Sequence, residues 1–133
     1  MKNTDIVITA ANRTAVGALG KSLKSIHAHE LGSATIEELI KKTSIEKDDI
    51  DEVILGQVLT AGLGQNPARQ ASIKSGIPKE KPAFLVNQVC GSGIRSVASG
   101  VQSIMVGDSK IVIAGGQESM SLSPHSVHLR DGK

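Results

Sequence analysis

A single cysteine stands in the 133-residue chain, and its neighbours make it a candidate nucleophile. Cys90 lies in Asn87-Gln88-Val89-Cys90-Gly91-Ser92-Gly93, after the apolar run Phe84-Leu85-Val86 and before a segment with helical apolar spacing. A strand-to-helix junction projects such a side chain from the carboxyl end of a sheet, where ligands of parallel sheets bind. The helix N-terminus brings partial positive charge to the sulfur, which lowers its pKa and raises the thiolate fraction. Free N–H groups of the first turn can donate to an oxyanion. Gly91 and Gly93 leave space for a substrate carbonyl to reach the sulfur. Two other readings of the same residues stand beside this one. One is a buried structural thiol, which packs as a small hydrophobe. The other is a phosphate loop, which lacks the third glycine of a dinucleotide fingerprint (Ser96 is there) and any Gly-Lys-Ser/Thr.

The remaining chemistry-bearing residues are sparse. One cysteine makes no internal disulfide, and no Cys/His set has zinc-site spacing, so no metal site is expected. His27/His29 and His125/His128 read as surface or loop residues, with metal pairs as the alternative. A reducing compartment suits the free thiol. Met1-Lys2-Asn3-Thr4-Asp5 before Ile6-Val7-Ile8 is too short an apolar run for a signal peptide, and no stretch approaches the ~20 apolar residues of a membrane span. The expectation is a cytoplasmic protein with no membrane partner. Fifteen Lys+Arg against 13 Asp+Glu is too even for a nucleic-acid footprint, and one Phe with no Tyr or Trp gives no stacking platform. No nucleic-acid partner is expected. The core must come from 14 Ile, 11 Val, 10 Leu and 12 Ala.

The elements that must position Cys90 alternate between strand and helix. Ile6-Val7-Ile8-Thr9, Val53–Val58, Phe84–Val86 and Ile111–Ala114 are short apolar runs that read as buried strands. Gly32, Ile36, Leu39, Ile40 and Thr43 are spaced for one helix face, with Lys41 and Lys42 at the end that favours cations. Asn66 caps a second helix with Pro67 in its first turn, and Gly76-Ile77-Pro78 stops it. The third helix runs from Cys90 to Gly107. Strand, helix, strand, helix, strand, helix, strand predicts right-handed crossovers and a mainly parallel sheet in an α/β fold.

The third helix has two faces. Ile94, Val97, Ala98, Val101, Ile104 and Met105 form its apolar stripe, expected against the sheet. Ser96, Ser99, Gly100 and Ser103 form the next face, and Arg95 is the only charge between Gly91 and Gly107. Small residues at that spacing admit another backbone closely, so the serine face is expected against a second helix that this chain does not supply. A solvated serine face is the other reading.

Several long motifs now stand in order: Arg13-Thr14-Ala15-Val16-Gly17, His29-Glu30-Leu31-Gly32, Val53-Ile54-Leu55-Gly56-Gln57-Val58-Leu59, Gly64-Gln65-Asn66-Pro67-Ala68-Arg69-Gln70-Ala71, Asn87–Gly93, Ala114-Gly115-Gly116-Gln117-Glu118-Ser119-Met120-Ser121, Pro124-His125, and His128-Leu129-Arg130-Asp131-Gly132. Over essentially its whole length the chain resembles the N-terminal part of a thiolase, of the biosynthetic acetoacetyl-CoA type. The resemblance implies a thiolase-like N-terminal half with its final strand and loop domain missing. Residues 1–133 would be a partial N-terminal domain, with a core of about 1–118 and 119–133 opening the loop domain. It implies that Cys90 takes an acetyl group from acetyl-CoA as a thioester, with its backbone N–H in an oxyanion hole. A second acetyl-CoA then gives acetoacetyl-CoA. No cofactor is implied beyond these coenzyme A thioester substrates, and the full-length family is expected to be homo-oligomeric.

The family's activating histidine, its second cysteine and most of its CoA site have no counterpart here, and none of His27, His29, His125 or His128 matches a catalytic motif. The chain is therefore expected to be a truncated thiolase, inactive alone. The alternatives are one half of a split enzyme that pairs with a separate C-terminal half, or a non-catalytic assembly fragment. Two smaller departures are Ala18-Leu19, where relatives often carry Lys-Phe, and Gln117, where Met is common.

Overall fold

The structure is a computed structural model that describes residues 5–129. Three helices and three strands follow in order: α1 (Ala28–Thr43), β1 (Glu52–Gly56), α2 (Pro67–Lys74), β2 (Ala83–Val86), α3 (Ser92–Val106) and β3 (Val112–Gly116). Short 3-10 turns cover Lys47–Asp49 and Met120–Leu122. The sheet is wholly parallel with order β2-β1-β3, and Ile54 of β1 stands between Phe84 and Ala114. The crossovers β1-α2-β2 and β2-α3-β3 run in opposite directions along the sheet. A common right hand then puts α2 and α3 on opposite faces.

One face carries the apolar core. Val53 and Leu55 of β1 pack with Ile36 of α1, Ala68 and Ala71 of α2, and Ile50 and Ile77 from the connections. Ala28, Gly32 and Ile36 recur every four residues along α1 and are buried, which is the stripe a core-facing helix needs. Asn66 caps α2 as expected: its side chain accepts from the Arg69 N–H at 3.1 Å and donates to Ala83 O at 2.9 Å. The second bond ties the start of α2 to β2. Left-handed Ser44 and Gly107 end α1 and α3.

Two expectations are corrected. Ile6-Val7-Ile8-Thr9 is not a strand; Val7 and Ile8 are 68% and 79% exposed. This segment forms one wall of a cavity of about 340 Å3, and the outer edge of β3 forms another, with α1 and α3 between them. With that gap in between, the run has no ladder partner, and apolar character alone does not make a strand. The β-α-β-α-β-α-β order therefore loses its first strand in the described residues, while the parallel α/β class stands.

The faces of α3 also differ in part from expectation. Ser92, Ser96 and Gly100 are the buried residues and lie on the sheet, whereas Ile94 and Met105 are 75% and 73% exposed. A Cβ on Gly100 would come within 3.1 Å of Val112 Cγ1, and Ser96 Oγ lies 2.6 Å from both Gly93 O and Gly115 O. The small residues bring α3 close to the strands; of the apolar stripe, Val97 and Ile104 are half-buried and line the cavity beside β3, while Ile94, Ala98 and Met105 are exposed.

Candidate active site

Cys90 is exposed, at the carboxyl edge of the sheet between β2 and α3. Among the described residues the thiol is therefore not packed in a core as a structural cysteine would be. The four residues after Val86 make a tight elbow. Gly91 N–H donates to Gln88 O at 3.0 Å and Ser92 N–H to Val89 O at 3.1 Å. Ser92 Oγ serves both strands of the elbow, donating to Val89 O at 2.6 Å and accepting from Gln88 N–H at 2.9 Å. The Cys90 N–H is not among the donors that close this turn.

Val89 sits at φ +50, in the left-handed region. A β-branched side chain there is strained by about 1–3 kcal/mol, so the surroundings must hold it. Asn87 does so from one side, its Oδ1 accepting the Val89 N–H at 3.0 Å, and Ser92 from the other. Such a strained strand-to-helix turn lifts a nucleophile above the sheet edge.

Glycines seat α3 on the strand ends. A Cβ on Gly56 would fall 2.3 Å from the Ser92 carbonyl carbon and 2.6 Å from Gly93 N, so the end of β1 must be glycine for the first turn of α3 to sit there. A Cβ on Gly93 would meet only Gly116 Cα, at 4.0 Å, so packing among the described residues does not demand that glycine.

A second layer of polar residues, to which the sequence reading assigned no role, holds the loop after β1. Glu118, just past β3, accepts from Val58 N–H at 2.8 Å and Leu59 N–H at 3.2 Å. Gln57 and Gln117 are buried against each other, with Gln117 Nε2 donating to Gln57 Oε1 at 2.8 Å and Gln57 Nε2 to Leu59 O at 2.8 Å. On the β2 side, Asn87 Nδ2 reaches Val58 O at 3.4 Å. Apart from the local Gln57–Leu59 bond, these partners lie 29 to 60 residues apart in sequence, beyond any local pattern.

The histidines are elsewhere. His27 and His29 stack at 5.5 Å between ring centroids at the start of α1. Burial holds the His29 imidazole below its ordinary pKa. Glu30 accepts the His27 N–H at 3.1 Å and the Lys74 ammonium at 2.9 Å; the Lys74 bond first, then His27, keeps its carboxyl below the usual range. The cluster therefore caps α1 and ties it to α2. His125 and His128 are exposed beyond the last 3-10 turn, and Arg130-Asp131-Gly132 of their motif lie outside the described residues. Among the described residues no hydrogen bond reaches the Cys90 sulfur, and no three His, Cys, Asp or Glu side chains cluster as a metal set.

The N-terminal domain family of thiolases matches residues 6–132. The chain belongs to the thiolase family. Among curated relatives, it is 54% identical over 132 residues to an acetyl-CoA acetyltransferase of Rhizobium meliloti and 59% identical over 129 residues to one of Chromobacterium violaceum. These alignments cover 99% and 96% of the chain but 34% and 33% of the relatives, so the chain spans about a third of their length. The thiolase fold is matched by two crystal structures. One is the Bacillus anthracis acetyl-CoA acetyltransferase (TM-score 0.87, 36% identity, 91% of this chain and 31% of that one). The other is the Acat5 thiolase of Ascaris suum in complex with coenzyme A (TM-score 0.81, 44% identity, 83% and 29%). No helix among the described residues is long and apolar enough to cross a membrane.

Proposed function

We propose that this thiolase chain supplies the acyl-accepting nucleophile of an acetyl-CoA C-acetyltransferase, and that Cys90 is that nucleophile. The observation that carries the reading is an exposed thiol on a strained elbow at the carboxyl end of a parallel sheet, in a chain of this family. In the first half-reaction the Cys90 sulfur attacks the carbonyl carbon of acetyl-CoA. A tetrahedral oxyanion forms beside the Cys90 N–H and the start of α3. The carbon–sulfur bond to coenzyme A then breaks, and the proton given up by the Cys90 thiol is passed to the departing sulfur, so that coenzyme A leaves as the thiol and acetyl-Cys90 remains. In the second half-reaction an acetyl-CoA deprotonated at its methyl group attacks the thioester. A carbon–carbon bond forms, the Cys90 sulfur leaves, and acetoacetyl-CoA is released. A thioester keeps the acyl group activated between the two steps, which is what covalent catalysis requires here.

The described residues offer Cys90 no hydrogen-bonding base, so proton transfer depends on groups outside them. By this reading the chain alone accepts acetyl groups slowly and does not turn over, because a positioned base and a CoA pocket carry much of the transition-state stabilisation. The same reading makes residues up to about 118 the domain core and the segment after them the opening of a CoA-binding loop domain. Acetyl-CoA is incubated with the purified chain, and intact mass and acetoacetyl-CoA are measured. Acetylation of Cys90 without acetoacetyl-CoA, lost in Cys90→Ser, is expected. Acetylation that persists in Cys90→Ser overturns the assignment of the nucleophile, and robust turnover overturns the dependence on other groups.

A further inference from the structure

We propose that Glu118 is a positioning residue for Cys90, acting through a hydrogen-bond relay that crosses the carboxyl edge of the sheet from β3 to β2. The proposal rests on the assignment of Cys90 as nucleophile and adds to it the residue that holds the elbow in register. The relay has three links. The Glu118 carboxylate accepts both the Val58 and Leu59 N–H groups, at 2.8 and 3.2 Å, and so fixes the peptide between them. Val58 O, on the other side of that peptide chain, accepts from Asn87 Nδ2 at 3.4 Å. The opposite atom of the same carboxamide, Asn87 Oδ1, accepts the Val89 N–H at 3.0 Å.

Each link constrains the next for a chemical reason. A carboxylate that accepts two adjacent backbone N–H groups makes charge-assisted bonds, stronger than neutral ones. A carboxamide held at its donor end presents its acceptor end in one direction. Val89 would relax from φ +50 toward the extended region if that acceptor moved, because only local bonds hold a β-branched residue there. Cys90 follows Val89 directly, so this relaxation re-aims the thiol. The buried Gln57–Gln117 pair runs parallel to the relay, with Gln57 Nε2 holding Leu59 O at 2.8 Å, and limits movement of the loop to one side. Glu118 thus controls a residue 28 positions earlier through a loop 60 positions earlier.

A double-mutant cycle on Cys90 reactivity tests the relay. The 133-residue chain, Glu118→Gln, Asn87→Ala and the double variant are alkylated with iodoacetamide, and each rate is divided by that of the same chain in denaturant. Glutamine keeps the shape of the side chain but turns one acceptor into a donor facing an N–H. The expected result is about a fivefold or larger change in normalised rate for Glu118→Gln, with the double variant equal to Asn87→Ala alone, since linked residues are not additive. Multiplicative effects of the two substitutions, or an unchanged rate in Glu118→Gln, overturn the proposal. If the unmodified chain reacts no differently folded than unfolded, the assignment of Cys90 fails instead, and amide NMR signals still decide the relay. On that readout Glu118→Gln is expected to move the Val89 and Cys90 signals as well as those of Val58 and Leu59, and to move only the latter two in the Asn87→Ala background. Movement confined to Val58 and Leu59 without the Asn87 change overturns the relay. A variant that unfolds is replaced by Glu118→Asp, whose shortened reach is expected to give a smaller change of the same sign; no change in Glu118→Asp also overturns it.

Discussion

Gly56→Ala is the sharpest test of how α3, and with it Cys90, is seated. The added methyl would stand 2.3 Å from the Ser92 carbonyl carbon, 2.6 Å from Gly93 N and 2.6 Å from Ser92 O. All three are backbone atoms of the first turns of α3, so no side-chain rotation relieves the clash. Overpacking costs about 1–3 kcal/mol and occasionally more; a backbone clash at the central strand belongs at the upper end, about 3 kcal/mol. Unfolding entropy of roughly 2.1 cal/mol/K per residue over 133 residues gives about 0.28 kcal/mol/K. The midpoint of thermal unfolding should therefore fall by roughly 11 °C. Gly115→Ala is the matched control, since its methyl would meet only Leu55 Cδ2, at 4.0 Å. It should stay within about 2 °C of the unmodified chain, consistent with a surface-like effect of under ~0.5 kcal/mol. Differential scanning calorimetry of the three chains decides the matter. Equal midpoints for Gly56→Ala and Gly115→Ala would refute the seating of α3 against the end of β1. A folded Gly56→Ala chain should also show altered Cys90 alkylation, because the elbow must move with the helix turn.

The two faces of α3 should respond oppositely to substitution. Ile94→Lys and Met105→Lys alter exposed positions and should each change the urea midpoint by the equivalent of about 0.5 kcal/mol or less, whereas Gly100→Leu forces a side chain between helix and sheet and should cost about 2 kcal/mol or more; the reverse ranking would restore the sequence expectation. Asp51 should contribute an acid-sensitive part of stability. Its carboxylate accepts the Lys110 and Ile111 N–H groups at 2.7 and 3.0 Å, and those bonds hold its pKa below the usual value. A depressed folded pKa means the contribution is fully present above about pH 4 and is lost as pH falls through the folded value. Urea unfolding at neutral and acid pH should show a smaller pH dependence in Asp51→Asn, and an identical dependence would count against the argument.

Much of the local structure could be read from adjacent residues, because its causes are local. The Asn66-Pro67 start of α2, the left-handed stop at Gly107 and the apolar runs of β1, β2 and β3 each depend on residues within a turn of one another. Cys90 was legible for the same reason: strand, cysteine, glycine and helix are consecutive. The run Ile6–Thr9 has the same apolar signature as the true strands, yet strand formation needs a neighbouring edge, and a cavity separates it from β3.

The sequence by itself determined the parallel α/β class, the order of elements after residue 28, and the thiol at the strand-to-helix junction. Tertiary structure alone decided which side of α3 meets the sheet. The apolar stripe predicts burial against strands, but over Gly56, Ala114 and Gly116 the small Ser92, Ser96 and Gly100 sit closest, while Val97 and Ile104 lie to the side along the cavity beside β3. It alone also brought Glu118 to the loop before Asn87. Hydrogen bonds between residues tens of positions apart leave no periodicity behind, so the support beneath Cys90 exists only once the three strands lie side by side.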